Sequence, residues 1–171
     1  MRCAAPLQGH TDAVSSLVVT RDGRYVASAS NDDTVRVWNL EEGTASALFR
    51  GHTDWVSGLA LSPDERILAS ASRDGSTRLW TFPEGISIAT LRGHRDAIRS
   101  LAFTPDGSGV VTARDDATLR LWRVGETDAA HVLRGHSDIV SCLAVSPDGR
   151  WAASGSYDNQ VRLWNLADGA C

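Results

Sequence analysis

Cysteine, long apolar runs and the features of an amino-terminal signal are scarce in this sequence. Its three cysteines, Cys3, Cys142 and Cys171, have neither the spacing of metal ligands nor the pattern of a disulfide framework. No apolar run approaches the roughly 18–20 residues that a membrane-spanning helix needs, and the opening segment lacks the apolar stretch of a secretory signal. We therefore expect a protein of a reducing compartment, the cytoplasm, with no membrane partner.

Positive charge is not in excess either. The 21 Asp and Glu residues outnumber the 17 Lys and Arg residues, which gives a net charge of -4, whereas a nucleic-acid-binding surface usually needs a basic excess. The glycines occupy turn positions instead of forming a phosphate-binding loop, and no segment keeps a helical periodicity over a useful length. The sequence therefore favours an all-β protein with no nucleic-acid partner and no cofactor.

The sequence does contain one 42-residue unit, repeated four times without insertion or deletion. Gly-His pairs begin at residues 9, 51, 93 and 135, and a tryptophan closes the pattern at residues 38, 80, 122 and 164. A period of about 40–45 residues with an early Gly-His and a late Trp is typical of a propeller blade of four strands. The repeats span 9–50, 51–92, 93–134 and 135–171, and residues 1–8 precede them.

Each repeat has the pattern of three strands and a fourth that leads to the next Gly-His. In the second repeat, runs at 56–62 and 67–72 flank a Pro-Asp-Glu turn, and strict alternation marks the strand that ends at Trp80. Glu65 stands in that turn where the other copies have Gly, which predicts local strain or a relaxed turn. Residues 1–8 align with the segments before the later Gly-His pairs, so we predict a strand there that closes the last blade.

The Gly-His pair, the Ser-Pro-Asp-Gly turn, the Ser-x-Ser-x-Asp run and the closing Trp resemble the repeats of the WD-repeat β-propeller family. The resemblance covers nearly the whole chain, although residues other than Asp follow each Trp. It implies a single array over residues 1–171, with four blades of four antiparallel strands. Three arrangements remain open: part of a larger propeller, half of an eight-bladed ring made by two copies, or four blades that close alone.

The resemblance also implies a hydrogen-bonded tetrad of His, Ser or Thr, Asp and Trp in each blade. The carboxylate would fix the imidazole tautomer, and the hydroxyl would link the ring to a buried indole N–H. The sets at the matching positions are His10, Ser28, Asp32 and Trp38; His52, Ser70, Asp74 and Trp80; His94, Thr112, Asp116 and Trp122; and His136, Ser154, Asp158 and Trp164.

These side chains also suggest two other kinds of chemistry. His, Ser and Asp form hydrolase triads, but a triad is a single site with an exposed nucleophile and an oxyanion hole, not four copies at repeat spacing. Metal ligands would be gathered at one place, whereas these residues are spread over four blades. We therefore predict no catalytic residue and no metal site, and a hydrolase is kept only as a third hypothesis.

Trp151 occupies the same position in its repeat as Tyr25 and Ile67 do in theirs, which predicts that its side chain lies in the core.

The positions that vary between repeats are the ones that would choose a partner. In the family, partners dock on the face where the first strand of each blade begins and where the turn before the tetrad Asp emerges. Trp55, Arg73, Arg99 and Tyr157 are of the types that dominate binding hot spots. An exposed Trp beside two Arg would suit an acidic or phosphorylated peptide, although Trp55 could instead pack on its neighbouring blade and the two Arg could be plain solvated charges. The matching positions are Ala13, Ser15, Asn31, Trp55, Ser57, Arg73, Ala97, Arg99, Asp115, Ile139, Ser141 and Tyr157.

The sequence thus predicts a non-enzymatic scaffold that presents a rigid face to protein or peptide partners, with a homodimer as one way to complete the ring. The alternative is a regulatory or sensor module of a larger multidomain signalling protein, such as one linked to a kinase.

Overall fold

Each copy of the repeat forms one antiparallel sheet. The computed structural model describes residues 6–93 and 96–171, and every regular element in that part of the chain is a strand. This confirms the predicted all-β fold. The first two blades contain β1 (Val14–Val19), β2 (Tyr25–Ser30), β3 (Val35–Asn39), β4 (Thr44–Phe49), β5 (Val56–Leu61), β6 (Ile67–Ser72), β7 (Ser76–Thr81) and β8 (Ser87–Arg92). The other two contain β9 (Ile98–Phe103), β10 (Gly109–Arg114), β11 (Thr118–Arg123), β12 (Ala129–Arg134), β13 (Val140–Val145), β14 (Trp151–Ser156) and β15 (Val161–Asn165).

The strands of every blade pair in the order in which the chain makes them. Three sheets have four strands each, and the sheet of the fourth blade has three among the described residues, β13, β14 and β15. Of the strand predicted at 1–8, residues 1–5 lie outside the described part of the chain. Residues 6–8 have no strand pairing, so the fourth blade is not closed by them within this chain.

The turn between the first two strands is held by its own aspartate. In the second blade, Asp64 accepts hydrogen bonds from the Ser62 hydroxyl at 2.6 Å and from the backbone N–H of Arg66 at 3.2 Å. Glu65 takes a left-handed conformation with φ of 58°, close to the 71° of its counterpart Gly23. The Glu65 carboxylate also accepts a bond from the backbone N–H of Arg21 in the first blade at 2.8 Å. The turn therefore keeps its shape, and the backbone strain predicted at Glu65 is present.

The core lies between the blades. Small residues on the second strand, such as Ala27 and Ala29, are fully buried and let the next sheet approach closely. Against them pack apolar residues of the following blade, including Leu59 and Trp80. The second blade packs on the third, and the third on the fourth, through clusters with the same repeat positions. The second and third blades therefore each bury one wall against the blade before them and the other against the blade after them.

The core position predicted for Trp151 is wrong, and the reason is its place in the array. Tyr25, at the same position of the first blade, packs edge-to-face on Phe82 of the second blade with ring centroids 6.2 Å apart. Trp151 lies on the corresponding wall of the fourth blade, which no later blade of this chain covers. Its side chain is 40% exposed.

The Gly of each Gly-His pair lies against the guanidinium of an arginine on the third strand of its blade. A Cβ atom at Gly51 would lie 2.8 Å from Nη1 of Arg78, on β7, and one at Gly135 would lie 2.6 Å from Nη1 of Arg162. The guanidinium of Arg78 in turn lies 5.8 Å from the centre of the Trp80 ring. The glycine thus makes room for an arginine that covers the buried tryptophan.

Candidate functional site: the blade networks and the docking face

The four side chains predicted as a tetrad lie together in the second blade. His52 precedes β5, Ser70 is in the middle of β6, Asp74 is in the turn before β7, and Trp80 is near the end of β7. Nδ1 of His52 is 2.9 Å from the Asp74 carboxylate, and Nε2 is 2.8 Å from the Ser70 hydroxyl. The indole N–H of Trp80 donates to the same hydroxyl at 2.8 Å. One network therefore joins a loop, a turn and two strands.

The first and fourth blades have the same geometry. The His10 ring is 2.8 Å from the carboxylate of Asp32 and 2.7 Å from the Ser28 hydroxyl, and the corresponding distances in the fourth blade are 2.7 Å and 2.8 Å. In the third blade, Trp122 donates to the Thr112 hydroxyl at 2.9 Å. His94, the remaining ring predicted there, lies outside the described residues.

Hydrogen bonds keep the network aspartates ionised. Burial by itself would raise the pKa of Asp74, but bonds from His52 and Ser76 outweigh it and hold that pKa well below the ordinary value. In the fourth blade, burial is likewise outweighed by bonds from His136 and from two backbone N–H groups, and the pKa of Asp158 falls to about 2. Each carboxylate is therefore negative at neutral pH and binds the imidazole beside it.

The serine hydroxyls of the networks are the groups that the hydrolase hypothesis would use as nucleophiles. The hydroxyls of Ser28, Ser70 and Ser154 are buried, and each is occupied by an imidazole on one side and an indole on the other. With the Nδ1 proton donated to the carboxylate, Nε2 accepts the hydroxyl proton, and the hydroxyl oxygen accepts the indole N–H. Within residues 6–93 and 96–171, no group of three or more His, Cys, Asp or Glu side chains could hold a metal ion.

Arg114 is a feature of the third blade that the sequence prediction missed. At the end of β2, Ser30 donates to the backbone carbonyl of Asp12 at 3.1 Å, and Ser72 makes the same bond to Asp54. Arg114 replaces this serine and is completely buried. Its Nη1 is 3.3 Å from Asp116, while Nε and Nη2 have no hydrogen-bond partner among the residues that the structure describes. Burial lowers the pKa of this guanidinium to about 10. The broken serine pattern was the signal available in the sequence.

The predicted docking residues of the second blade form a stacked pair. The guanidinium carbon of Arg73 lies 4.0 Å from the centre of the Trp55 ring, and the backbone N–H of Arg73 donates to the Trp55 carbonyl at 2.9 Å. Trp55 is 39% exposed and Arg73 is exposed. The indole therefore presents surface to solvent with a cation held against one of its faces.

The third blade uses its docking positions differently. Arg99 donates from Nε and Nη2 to the two carboxylate oxygens of Asp115, at 2.7 Å and 2.9 Å. The hydrogen bond with Asp115 raises the pKa of Arg99 above its ordinary value. This bidentate pair uses two of the five N–H donors of Arg99 and places a carboxylate against its charge, so the two arginines predicted beside Trp55 are not equivalent.

The same backbone bond brings together the docking positions of every blade. The N–H before each tetrad Asp donates to the carbonyl just before the first strand: Asn31 to Ala13, Arg73 to Trp55, Asp115 to Ala97, and Tyr157 to Ile139, at 2.9 Å to 3.3 Å. Tyr157 is strongly exposed, whereas Asn31, Asp115 and Ile139 are half-buried. The hydroxyls of Ser15 and Ser57 instead donate to backbone carbonyls of the next blade, Val56 and Ile98.

Comparison with known proteins gives the class of protein that this fold and these networks define. The family model for the WD domain, G-beta repeat, matches residues 1–39, 43–81, 85–123 and 128–165. The chain therefore belongs to the WD-repeat family, as its motifs predicted. Repeats of this family serve in general as protein-interaction modules.

Individual relatives share single stretches of the chain. It is similar to Protein Notchless of Drosophila melanogaster, 46% identical over 43 residues, which are 25% of this chain and 9% of that protein. MST50-interacting protein 11 of Pyricularia oryzae is 46% identical over 43 residues, 25% of this chain and 14% of the relative. Small ribosomal subunit protein RACK1 of Neurospora crassa is 50% identical over 38 residues, 22% of this chain and 12% of the relative. The matches thus span a small part of these curated relatives.

The described residues contain no helix with the length and hydropathy that crossing a lipid bilayer requires.

Proposed function

We propose that this chain is a non-enzymatic scaffold whose docking face binds a protein or peptide. The observation that carries the proposal is the pair of Trp55 and Arg73, an exposed indole with a guanidinium stacked on it. The networks beneath hold the loops of this face, so a partner meets a surface that loses little conformational freedom on binding. Buried and occupied hydroxyls at Ser28, Ser70 and Ser154 support a structural role for the His, Ser and Asp sets.

The stacked pair favours an acidic or phosphorylated ligand. A guanidinium that stacks through its face keeps its N–H edges for bidentate contact with a carboxylate or phosphate. Arg99 instead uses one of these edges, Nε and Nη2, for its bonds to Asp115. We therefore assign recognition of the ligand's negative charge to Arg73 and apolar contact to Trp55, with Tyr157 as a further exposed aromatic residue on this face.

The experiment is a binding screen of the 171-residue chain against arrayed peptides in neutral, acidic and phosphorylated versions. Trp55→Ala and Arg73→Ala should each weaken the best peptide by at least about tenfold, the range of a binding hot spot. Arg24→Ala is the matched control, since Arg24 also lies over an aromatic ring, that of Tyr25, but at the opposite end of the strands. Equal binding by all three variants with intact fold would contradict the proposal.

A module within a larger signalling protein is the second candidate, because the matched relatives are much longer than the matched stretches. The same docking face would then serve the larger protein. The free, exposed thiols of Cys142 and Cys171 support a location in the reducing cytoplasm. A serine-directed covalent probe tests the hydrolase hypothesis, and we expect no labelling of Ser28, Ser70 or Ser154.

A further inference from the structure

The third repeat departs from the other three at the start of its second strand. Where the others have an arginine followed by a large apolar residue, the third has Ser108 and Gly109. The replaced pairs are Arg24-Tyr25, Arg66-Ile67 and Arg150-Trp151. The Tyr25 ring packs on Phe82 of the second blade, and Ile67 packs in the junction between the second and third blades. Gly109 has no side chain to place in the junction between the third and fourth blades.

A cavity of about 870 Å³ lies in this junction, at the end of the sheet where Gly109 begins β10. Gly109 and Leu121 line it on the side of the third blade, and Arg150 and Leu166 line it on the side of the fourth. Both leucines are almost completely buried, so part of the wall is apolar. The volume lies within the roughly 300–1,000 Å³ of pockets that bind small molecules.

Two polar residues found only in the third repeat also line this cavity. They are Arg123 and His131. Gly109 pairs directly with Arg123, and Leu121 pairs directly with His131, and residues paired in this way lie on the same face of a sheet. A Cβ at Gly169 of the fourth blade would lie 3.5 Å from the Cβ of His131. The residues at the two positions in the other repeats are Asn39, Thr81 and Asn165, and Ala47 and Ala89.

Arg123 replaces a residue that stabilises a turn. The Asn39 side chain accepts a hydrogen bond from the backbone N–H of Glu41 at 3.0 Å, and Asn165 makes the same bond in its own turn. A guanidinium has no acceptor and cannot make this bond. No hydrogen bond or ion pair joins the side chain of Arg123 or of His131 to another described residue. Their polar groups are therefore available to a ligand.

The carboxylates at the rim of the cavity are held in their own turns. Asp106 accepts hydrogen bonds from the hydroxyl of Ser108 at 2.7 Å and from its backbone N–H at 3.0 Å. Asp148 accepts a bond from the Ser146 hydroxyl at 2.5 Å, and the Arg150 guanidinium is 4.0 Å from the same carboxylate. The guanidinium of Arg123 is thus the cation of this cavity that has no carboxylate beside it.

We propose that this cavity binds a small aromatic carboxylic acid. The ring of the ligand takes the place that the Tyr25 side chain fills in the first blade, between the leucines of the two walls. Its carboxylate accepts hydrogen bonds from Arg123, whose planar guanidinium can bind both oxygens, and from a ring N–H of His131. The site lies at the opposite end of the strands from the docking face and is separate from it.

The first test is a titration of the 171-residue chain, followed through the NMR chemical shifts of its backbone amides. The probes are benzoate, phenylacetate and phenylpropionate, and the controls are phenylpropionamide, which lacks the charge, and hexanoate, which lacks the ring. We expect saturable shifts at Gly109 and Leu166 with at least one aromatic acid, and none at Trp55. The controls should bind that site at least about tenfold more weakly. Absence of saturable shifts with all three acids, or equal binding of either control, overturns the proposal.

The second test gives the third repeat the residues of the other repeats. Arg123→Asn and His131→Ala should each weaken the best acid by about tenfold or more, and their melting curves check that they fold. Gly109→Ile should abolish binding, because its side chain fills the cavity. Thr81→Asn is the matched control, since Thr81 holds the position of Arg123 in the second blade, and it should leave binding unchanged. Undiminished binding by folded Arg123→Asn and His131→Ala contradicts the proposal, whether or not Gly109→Ile folds.

Discussion

At the scale of single residues, the stability of a blade depends on the charge state of the aspartate in its network. The Asp158 carboxylate is 2.7 Å from the imidazole of His136 and accepts hydrogen bonds from the backbone N–H of Ser137 at 3.1 Å and, in its own turn, from that of Gln160 at 2.9 Å. Its ionised form is the one that these partners bind. The folded state therefore holds this carboxylate more strongly in its charged form than the unfolded chain does.

Lowering the pH should remove the contribution that ionised Asp158 makes to stability. Because the pKa of Asp158 is lowered from 3.8 to about 2, its stabilising effect is complete above about pH 4 and is lost as the pH falls towards 2. Asp158→Asn should lower the melting temperature at neutral pH, and the gap from the wild-type chain should narrow between pH 4 and pH 2. Asp128→Asn, at an exposed site in the linker before β12, should follow the wild-type curve at every pH. A gap that stays constant with pH would contradict this assignment.

Arg114 is a completely buried arginine whose charge is poorly compensated by hydrogen bonds. Two of its guanidinium nitrogens are buried without a hydrogen-bond partner in the described part of the chain, and such groups cost about 1–3 kcal/mol each. Arg114→Ser restores the residue found in the other three repeats and should raise the free energy of unfolding by about 1–3 kcal/mol. Arg114→Met keeps the aliphatic volume without the charge and should also stabilise. Arg123→Ser, at an exposed site on β11, should change stability by no more than about 0.5 kcal/mol. Chemical denaturation measures all three, and destabilisation by both Arg114 variants would refute the interpretation.

At the scale of the element, each blade is a strand meander whose third strand is fixed by an arginine, a tryptophan and a glycine. The sequence predicted the strands well, because alternation on β7 and β11 and turn residues between strands are local signals. It also supplied the members of the networks, since they recur at constant spacing. It did not predict the stacking of Arg73 on Trp55, because a contact between two loop side chains depends on where the backbone places them.

Substitution of Gly51 tests how tightly the arginine of β7 packs against the Gly-His pair. Gly51→Ala would place a methyl group 2.8 Å from the Arg78 guanidinium, at a backbone φ of 153° that side chains rarely adopt. We expect a loss of about 1–3 kcal/mol in the free energy of unfolding. Gly43→Ala is the control, since Gly43 has a positive φ but no atom within 4 Å of an added Cβ, so it should cost only about 1 kcal/mol. Equal losses of unfolding free energy at the two positions would show that the Arg78 side chain moves aside to make room for the added methyl group.

At the scale of the whole molecule, stability accumulates from one junction to the next, as in other repeat arrays. The three internal junctions bury the alanines, valines and leucines of adjacent sheets. The end blades each contribute one further wall that matches these junctions in composition but remains exposed. Trp151 is 40% exposed, whereas Tyr25 and Ile67 at the same position of their repeats are half-buried because a following blade packs against them.

The sequence by itself determined the blade: its strands, its turns, and the His, hydroxyl, Asp and Trp that recur every 42 residues. It could do so because hydrogen bonds within a blade join residues at fixed, short separations along the chain. Only the tertiary structure decided which surfaces are covered, since the exposure of Trp151, the burial of Arg114 and the exposure of Trp55 depend on neighbouring blades and loops. Local patterns specify which atoms can pair, whereas burial depends on what the rest of the molecule places beside them.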